Sequence, residues 1–224
     1  MLYITGDTHI PTDVSKLNSK RFPEQKSMTK DDFVIIAGDF GGIWDSSNEE
    51  RYWLKWLEEK SFTTLFVDGN HENFTELAKY EVVPFHGGQA HRISDSVYHL
   101  MRGQVYSIDG KRIFTLGGAS SHDREYRTEG VSWWSEELPN KGELDLAEKN
   151  LDSVDRKVDV IITHCAPSSI QKELGAHYEP DRLTEYLEIL SHTVSYENWY
   201  FEHYHTDLLM GKGFVAVFDK IHTL

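Results

Sequence analysis

Aspartate, histidine and asparagine fall together in five short blocks along this chain: Asp7-x-His9, Gly38-Asp39, Gly69-Asn70-His71-Glu72, Thr163-His164 and His203-x-His205. Carboxylate, imidazole and amide oxygen are donors for divalent ions such as Mn, Fe, Zn or Ni. The single Cys165 leaves no thiolate cluster for a Cys-rich structural zinc site. Two such ions about 3.5–4 Å apart can hold a bridging hydroxide, neutralise a phosphoryl group and stabilise attacking and leaving oxygens together, provided that one carboxylate bridges them. The residue types therefore point to two-metal hydrolysis of a phosphoester.

These side chains need a scaffold that brings distant loops together. Apolar β-type runs (Leu2 to Ile4, Phe33 to Ala37, Thr63 to Val67, Val158 to Ile162) precede the first four blocks, which puts the candidate ligands on loops at strand ends, where α/β folds build their sites. Glu49 to Glu59 reads as a helix with Tyr52, Trp53, Trp56 and Leu57 on one apolar face, and Asn73 to Tyr80 as a short helix. Ser96 to Met101, Gln104 to Ile108 and Arg112 to Leu116 read as strands, the last two joined by an Asp109-Gly110 hairpin turn, with the sheet becoming antiparallel there. Helices return at Gly142 to Val154 and at Asp181 to Leu190, the latter with Asp181 as N-cap. Strands close the chain at Ser195 to Phe201, Thr206 to Met210 and Phe214 to Phe218, with Gly211-Lys212-Gly213 as a turn.

In order and spacing the blocks resemble the calcineurin-like metallophosphoesterase superfamily, whose pattern reads D-x-H, G-D-x-x-D, G-N-H-[DE], H and G-H-x-H. The resemblance implies an α/β fold, a four-layer αββα sandwich of two mixed β-sheets flanked by helices. It implies that Asp7, His9, Asp39 and His205 hold one metal and that Asp39, Asn70, His164 and His203 hold the other, with Asp39 as the bridge. His71 would then be the general acid that protonates the leaving alkoxide, a role suited to an imidazole near neutral pH. Some relatives use the same fold as a non-catalytic protein scaffold, generally with a site histidine lost. Here every ligand position is filled.

Three positions depart from the pattern. Gly42 stands where the second Asp of G-D-x-x-D belongs, Ile43 where the protein phosphatase branch carries an Arg, and Glu202 where the last motif begins with Gly. The missing Asp normally orients the catalytic His, so Asp45 or Glu72 is expected to take over for His71. The missing Arg normally grips phosphate, which tilts the expected substrate from a phosphoprotein towards a phosphodiester or a small nucleotide-like monoester. A replacement grip is expected in the segment Gly117 to Arg127, through Arg124 and Arg127, with Trp133-Trp134 alongside to stack on a ring; Arg102 and the Lys20-Arg21 rim are further candidates. The histidines outside the blocks read as satisfied polar or surface residues.

At 224 residues, with 39% hydrophobic content, the chain can bury a sizeable core, and motifs near both ends favour a single domain over 1–224. A formal charge of −14 argues against long-range attraction to nucleic acid, although bound divalent ions would reverse the sign locally and keep an anionic substrate possible. No apolar run is long enough to span a membrane and the start, Met1-Leu2-Tyr3-Ile4, carries no signal-like segment, so the expected compartment is the cytoplasm. Cys165 reads as a small buried residue beside His164.

Overall fold

The structure, a computed structural model, describes residues 1–224. Its strands are β1 (Leu2–Thr5), β2 (Phe33–Ile36), β3 (Thr63–Phe66), β4 (Glu81–Phe85), β5 (Gly88–Arg92), β6 (Val97–Leu100), β7 (Gln104–Ile108), β8 (Lys111–Leu116), β9 (Val160–Thr163), β10 (Asn198–Phe201), β11 (Leu208–Leu209), β12 (Phe214–Ala216) and β13 (His222–Thr223). The helices are α1 (Asn48–Glu58), α2 (Phe74–Leu77), α3 (Lys141–Asp152), α4 (Ser168–Leu174) and α5 (Arg182–Thr193). One seven-stranded sheet has the order β13-β1-β2-β3-β6-β5-β4 and a six-stranded sheet the order β11-β12-β10-β9-β8-β7. Both are mixed, with parallel centres and antiparallel edges.

Three hydrophobic clusters account for the layering. Along each central strand both faces are apolar, so alternate residues serve two cores. Leu2, Ile4, Phe33, Ile35, Leu65 and Val67 of the first sheet meet Ile113, Val160, Ile162, Tyr200 and Val215 of the second in a shared inner core. On the outer face of the first sheet, Val34, Ile36 and Phe66 pack with Leu57 of α1 and Phe62. The outer face of the second sheet sends Phe114, Ile161, Trp199 and Phe201 against Ala147 and Leu151 of α3 and Leu183, Leu187 and Leu190 of α5. Helix, sheet, sheet and helix thus stack in the expected sandwich.

Local signals placed several elements well. Asp109 and Gly110 both take positive φ (50° and 78°), the twist that a tight two-residue hairpin requires between β7 and β8. Asp181 caps α5 by accepting from the amides of Leu183 and Thr184, and Asn140 caps α3 in a capping box with Glu143. Other expectations shrink or shift. The helix read from Asn73 to Tyr80 is the single turn Phe74–Leu77, and the strand read from Thr206 to Met210 keeps only Leu208–Leu209, whose exposed side chains bury little. The hairpin β4–β5 escaped the sequence reading because Pro84 and mostly exposed residues mask its alternation; it lies at the sheet edge, where Pro is tolerated. In α1, Trp53, Trp56 and Leu57 pack on the outer core of the first sheet as expected, while Tyr52 is 61% exposed and leaves that face.

The topology gathers the five blocks. Strands β1, β2 and β3 lie side by side and parallel in the first sheet, and β9 and β10 lie parallel in the second, so their carboxyl ends open on neighbouring edges of the two sheets.

Candidate metal centre

The first loop docks on the second through the backbone: the amides of Thr8 and His9 donate to the carbonyl of Asp39 (3.2 and 2.9 Å). His9 Nδ1 lies 2.9 Å from Asp13 Oδ2, which directs Nε2 inward, 3.6 Å from Asp7 Oδ2 and 3.4 Å from Asp39 Oδ2. Asp39 also accepts the His71 amide at Oδ1 (2.7 Å), and the same oxygen lies 3.4 Å from His164 Nε2. His164 donates from Nδ1 to the Ala37 carbonyl (3.0 Å), leaving Nε2 beside Asn70 Oδ1 (3.2 Å). His205 Nε2 stands 3.2 Å from Asp7 Oδ2, and the His203 ring lies 5.1 Å from that of His164. All seven candidate ligands, Asp7, His9, Asp39, Asn70, His164, His203 and His205, are therefore drawn into one cluster.

Two glycines of the blocks are explained by this crowding. A Cβ on Gly38 would lie 1.9 Å from His164 Nδ1, and one on Gly69 would lie 2.0 Å from Asp39 Oδ1. His9, Asp39, His203 and His205 all hold positive φ (33°, 41°, 71° and 47°), a conformation that non-glycine residues adopt rarely and chiefly at functional sites.

Charge is the unresolved quantity of this cluster. Both carboxylate oxygens of Asp7 are buried and have no hydrogen-bond donor. A buried carboxylate in that position costs several kcal/mol unless a cation meets it. Burial, reinforced by Asp39, pushes the Asp7 carboxyl up to about 7. Burial also opposes ionisation of His164 and Asp39, but the attraction between them wins, lifting the imidazole to about 10 and holding the Asp39 carboxyl well below its usual range. His203 is pushed down to about 3, first by burial and then by His164, and so stays neutral with a free lone pair. Ligand atoms of Asp7, His9 and His205 lie within 4.8 Å of one another, as do those of Asp7, His164 and Glu202. The donor set and its surplus of negative charge fit divalent cations.

A model of the calcineurin-like phosphoesterase family matches residues 2–209. The chain belongs to that family. Membership carries metal-dependent phosphoester hydrolysis as the general activity. No curated protein shows significant similarity to the chain.

Against this phosphoesterase frame several expected roles change. Neither Asp45 nor Glu72 orients His71: Asp45 Oδ1 accepts from Ser47 N (2.9 Å), and the fully buried Glu72 accepts from Phe40 N (2.7 Å) beneath Asp39. The nearest ring to His71 is that of His9, edge-on at 5.7 Å, and burial lowers the His71 pKa. Arg102 is not available to substrate. Its side chain is 5% exposed, and its Nε and Nη2 both donate to Asp68 Oδ2 (2.8 and 2.6 Å). Asp68 in turn accepts from His99 Nε2 (3.0 Å), so this unit braces the end of β3 rather than lining the centre. Arg21 is taken up by a two-bond pair with Asp219 (2.6 Å each), away from the cluster.

Arg124 lies over Trp133 (5.2 Å) and donates to Glu137, which also accepts from Ser121; the Ser121 hydroxyl is 3.3 Å from Asn70 Nδ2. It therefore reaches the centre through a chain of contacts. Arg127 is held by Asp123 (2.8 Å) and the Ser132 carbonyl, and its charge bears on His71. Trp134 is buried against Trp44 rather than open to a substrate ring. Cys165 is buried and its thiol is pushed well up by burial, as a structural residue would be.

Sequence reasoning missed three neighbours. His122 was read with the other outlying histidines as a satisfied polar or surface residue, and its ring lies 5.8 Å from that of His203. Lys16 is 1% exposed and donates to the carbonyls of Asp7 (2.6 Å) and Phe218 (2.5 Å), a cation behind the first ligand. Glu202, noted only as a departure, is 1% exposed; it accepts from the amides of His203 and His205 (3.0 Å for the latter) and pins the turn that presents both imidazoles. Its Cγ fills the space beside Gly6, where a Cβ would lie at 2.6 Å.

Two outcomes follow. Arg102→Met should destabilise the fold by about 3–5 kcal/mol, because it strands the buried Asp68 charge; urea unfolding checks this, and a stable variant with a raised KM alone would restore the substrate role. Glu202→Ala should weaken Mn binding about 10–100-fold with the circular dichroism spectrum unchanged, since the groups that orient ligands carry effects of that size. Calorimetric titration of the metal-stripped protein measures it.

Proposed function

We propose that the chain is a dinuclear phosphoesterase, with Asp7, His9, Asp39 and His205 holding one divalent ion and Asp39, Asn70, His164 and His203 the other. The observation that carries this reading is the posture of Asp39: Oδ2 faces His9 at 3.4 Å while Oδ1 faces His164 at 3.4 Å, so each oxygen addresses one ligand set. Such a pair of ions, when bound, would supply charge neutralisation on the phosphoryl group and a nucleophile at neutral pH.

The chain's own groups would do the rest. The His71 amide fixes the Asp39 carboxylate, and the His71 imidazole lies close to the cluster without belonging to either ligand set. That position suits it to donate a proton to the departing alkoxide oxygen. The fixed positive charge of Arg127 lies near enough to bear on His71, and its guanidinium would turn to a non-bridging phosphate oxygen in place of the Arg that Ile43 does not supply. Trp134 and Glu137, both buried, hold the loop that carries it.

We read the substrate as a small phosphomonoester or phosphodiester. Cavities of about 330 Å³ beside His9 and His71 and about 280 Å³ beside His122 and His203 flank the centre, leaving room for an organic group on each side of phosphorus, which favours the diester.

Reconstituted protein should carry two divalent ions per chain by elemental analysis, and Asp39→Asn should lose at least one. Retention of both at parental affinity would remove Asp39 as the bridge. His71→Ala should keep its metal while turnover falls by about 10²–10⁴-fold on alkyl esters, the usual range for general acid catalysis, and much less on nitrophenyl esters, whose leaving group needs little protonation. Equal losses on both classes in steady-state kinetics would remove His71 as the acid.

A further inference from the structure

The cavity on the His71 side has walls that identify what leaves. It is lined by His9 and His71 of the centre, by the indoles of Trp44 and Trp53, and by the carboxylates of Asp45, Glu49 and Glu50. At about 330 Å³ it is of the size of small-ligand sites. If His71 protonates the leaving oxygen, as the proposed function has it, the leaving group must depart on this side, into this cavity.

The wall is built in advance of any ligand. Glu50, 8% exposed, accepts from three consecutive amides, those of Trp44, Asp45 and Ser46 (2.7, 2.9 and 3.0 Å). Asn73 Nδ2 donates to the Trp44 carbonyl (2.6 Å), and the Trp44 indole packs edge-on against the buried Trp134 at 5.3 Å. An aromatic side chain held this way loses little freedom when a second ring joins it. Beside the lining residue Gly41 there is no room for a side chain at position 42: a Cβ on Gly42 would lie 2.5 Å from the Phe40 ring, which is itself stacked on Phe66 at 4.1 Å.

The carboxylates of the lining share one sign. No Lys or Arg lines the cavity, and the neighbouring Arg51 is spent on the Ser46 carbonyl and Asn48 Oδ1. An anionic leaving group would meet Asp45 and Glu49 with no Lys or Arg in the lining, and Arg127, whose charge bears on His71, is already paired with Asp123. A neutral or cationic ring would meet two indoles and three carboxylates, the combination that favours aromatic and cation–π contact.

We infer that this cavity selects phosphoesters whose leaving alcohol carries an aromatic ring and no negative charge. The inference rests on the proposed hydrolase reading and on His71 as its proton donor.

The test is a series of benzyl, 4-(aminomethyl)benzyl, 4-carboxybenzyl and butyl phosphates, each as monoester and as methyl diester, hydrolysed by the Mn-reconstituted full chain. Benzyl should exceed butyl in kcat/KM by roughly 3- to 10-fold, the worth of one aromatic pair. The aminomethyl ester should exceed the carboxy ester. Trp44→Leu should bring the benzyl-to-butyl ratio towards one, while Trp44→Phe, which keeps a ring and guards against simple misfolding, should hold most of it. Asp45→Asn combined with Glu49→Gln should narrow the gap between the aminomethyl and carboxy esters. Hydrolysis of all four with equal kcat/KM, or a preference for the carboxy ester, would overturn the assignment of the cavity and leave the hydrolase reading standing. Failure to hydrolyse any of these esters or a nitrophenyl ester would instead overturn the hydrolase reading, and this inference with it.

Discussion

Everything around the centre is arranged to hold carboxylates where water cannot solvate them. Asp7 and Asp39 are almost completely buried, and Asp7 has no donor to either oxygen. Burying a bare carboxylate opposes folding, so the surrounding structure must compensate. It does so in part with the Lys16 ammonium behind Asp7, in part with the His71 amide and the His164 imidazole on Asp39. The remaining negative charge faces the histidines, which is where a divalent cation would be held.

This constraint explains the backbone as well as the side chains. Candidate ligands that follow β1, β2 and β3 of one sheet meet those that follow β9 and β10 of the other because the shared inner core packs the two sheets face to face. At that meeting the loops run so close that Gly38 and Gly69 cannot bear side chains, and four candidate ligands, His9, Asp39, His203 and His205, turn into positive φ. Such conformations persist only when several bonds hold them at once. The carboxylate of Glu202 supplies two of those bonds at the last turn, to His203 and His205. The departure from Gly at that position is therefore part of how this chain builds its final motif.

The periphery divides the remaining work. Asp68, His99 and Arg102 form a buried charged unit behind the third loop, close to the centre in sequence and separate from it in space. Glu137, Ser121 and Arg124 link the long loop after β8 to Asn70. The segment from Trp44 to Trp53, hung on Glu50, forms the wall facing His71. Polar networks of this kind rigidify only if their members are satisfied, and most members here are.

The chain's own order of residues determined what is local. Apolar runs ended in ligand-type residues, Asp109-Gly110 demanded a hairpin, and Asp181 announced a helix, because side-chain chemistry, turn conformation and capping act within a few residues. The four-layer sandwich was implied by the family resemblance, while the apolar runs located its central strands. Only the tertiary structure could decide the partners of single charges. Arg102 looked like a phosphate ligand until Asp68, 34 residues away, took its guanidinium. His122 carried no signal beyond a satisfied polar or surface residue until packing set it beside His203, and Trp53, which packs on the core as read, also lines the cavity beside His71. Glu72 stood next to His71 in the sequence yet points under Asp39. Neighbours along the chain share a backbone, whereas an ion pair or a cavity wall depends on which segments the hydrophobic cores press together, and no spacing within one segment encodes that.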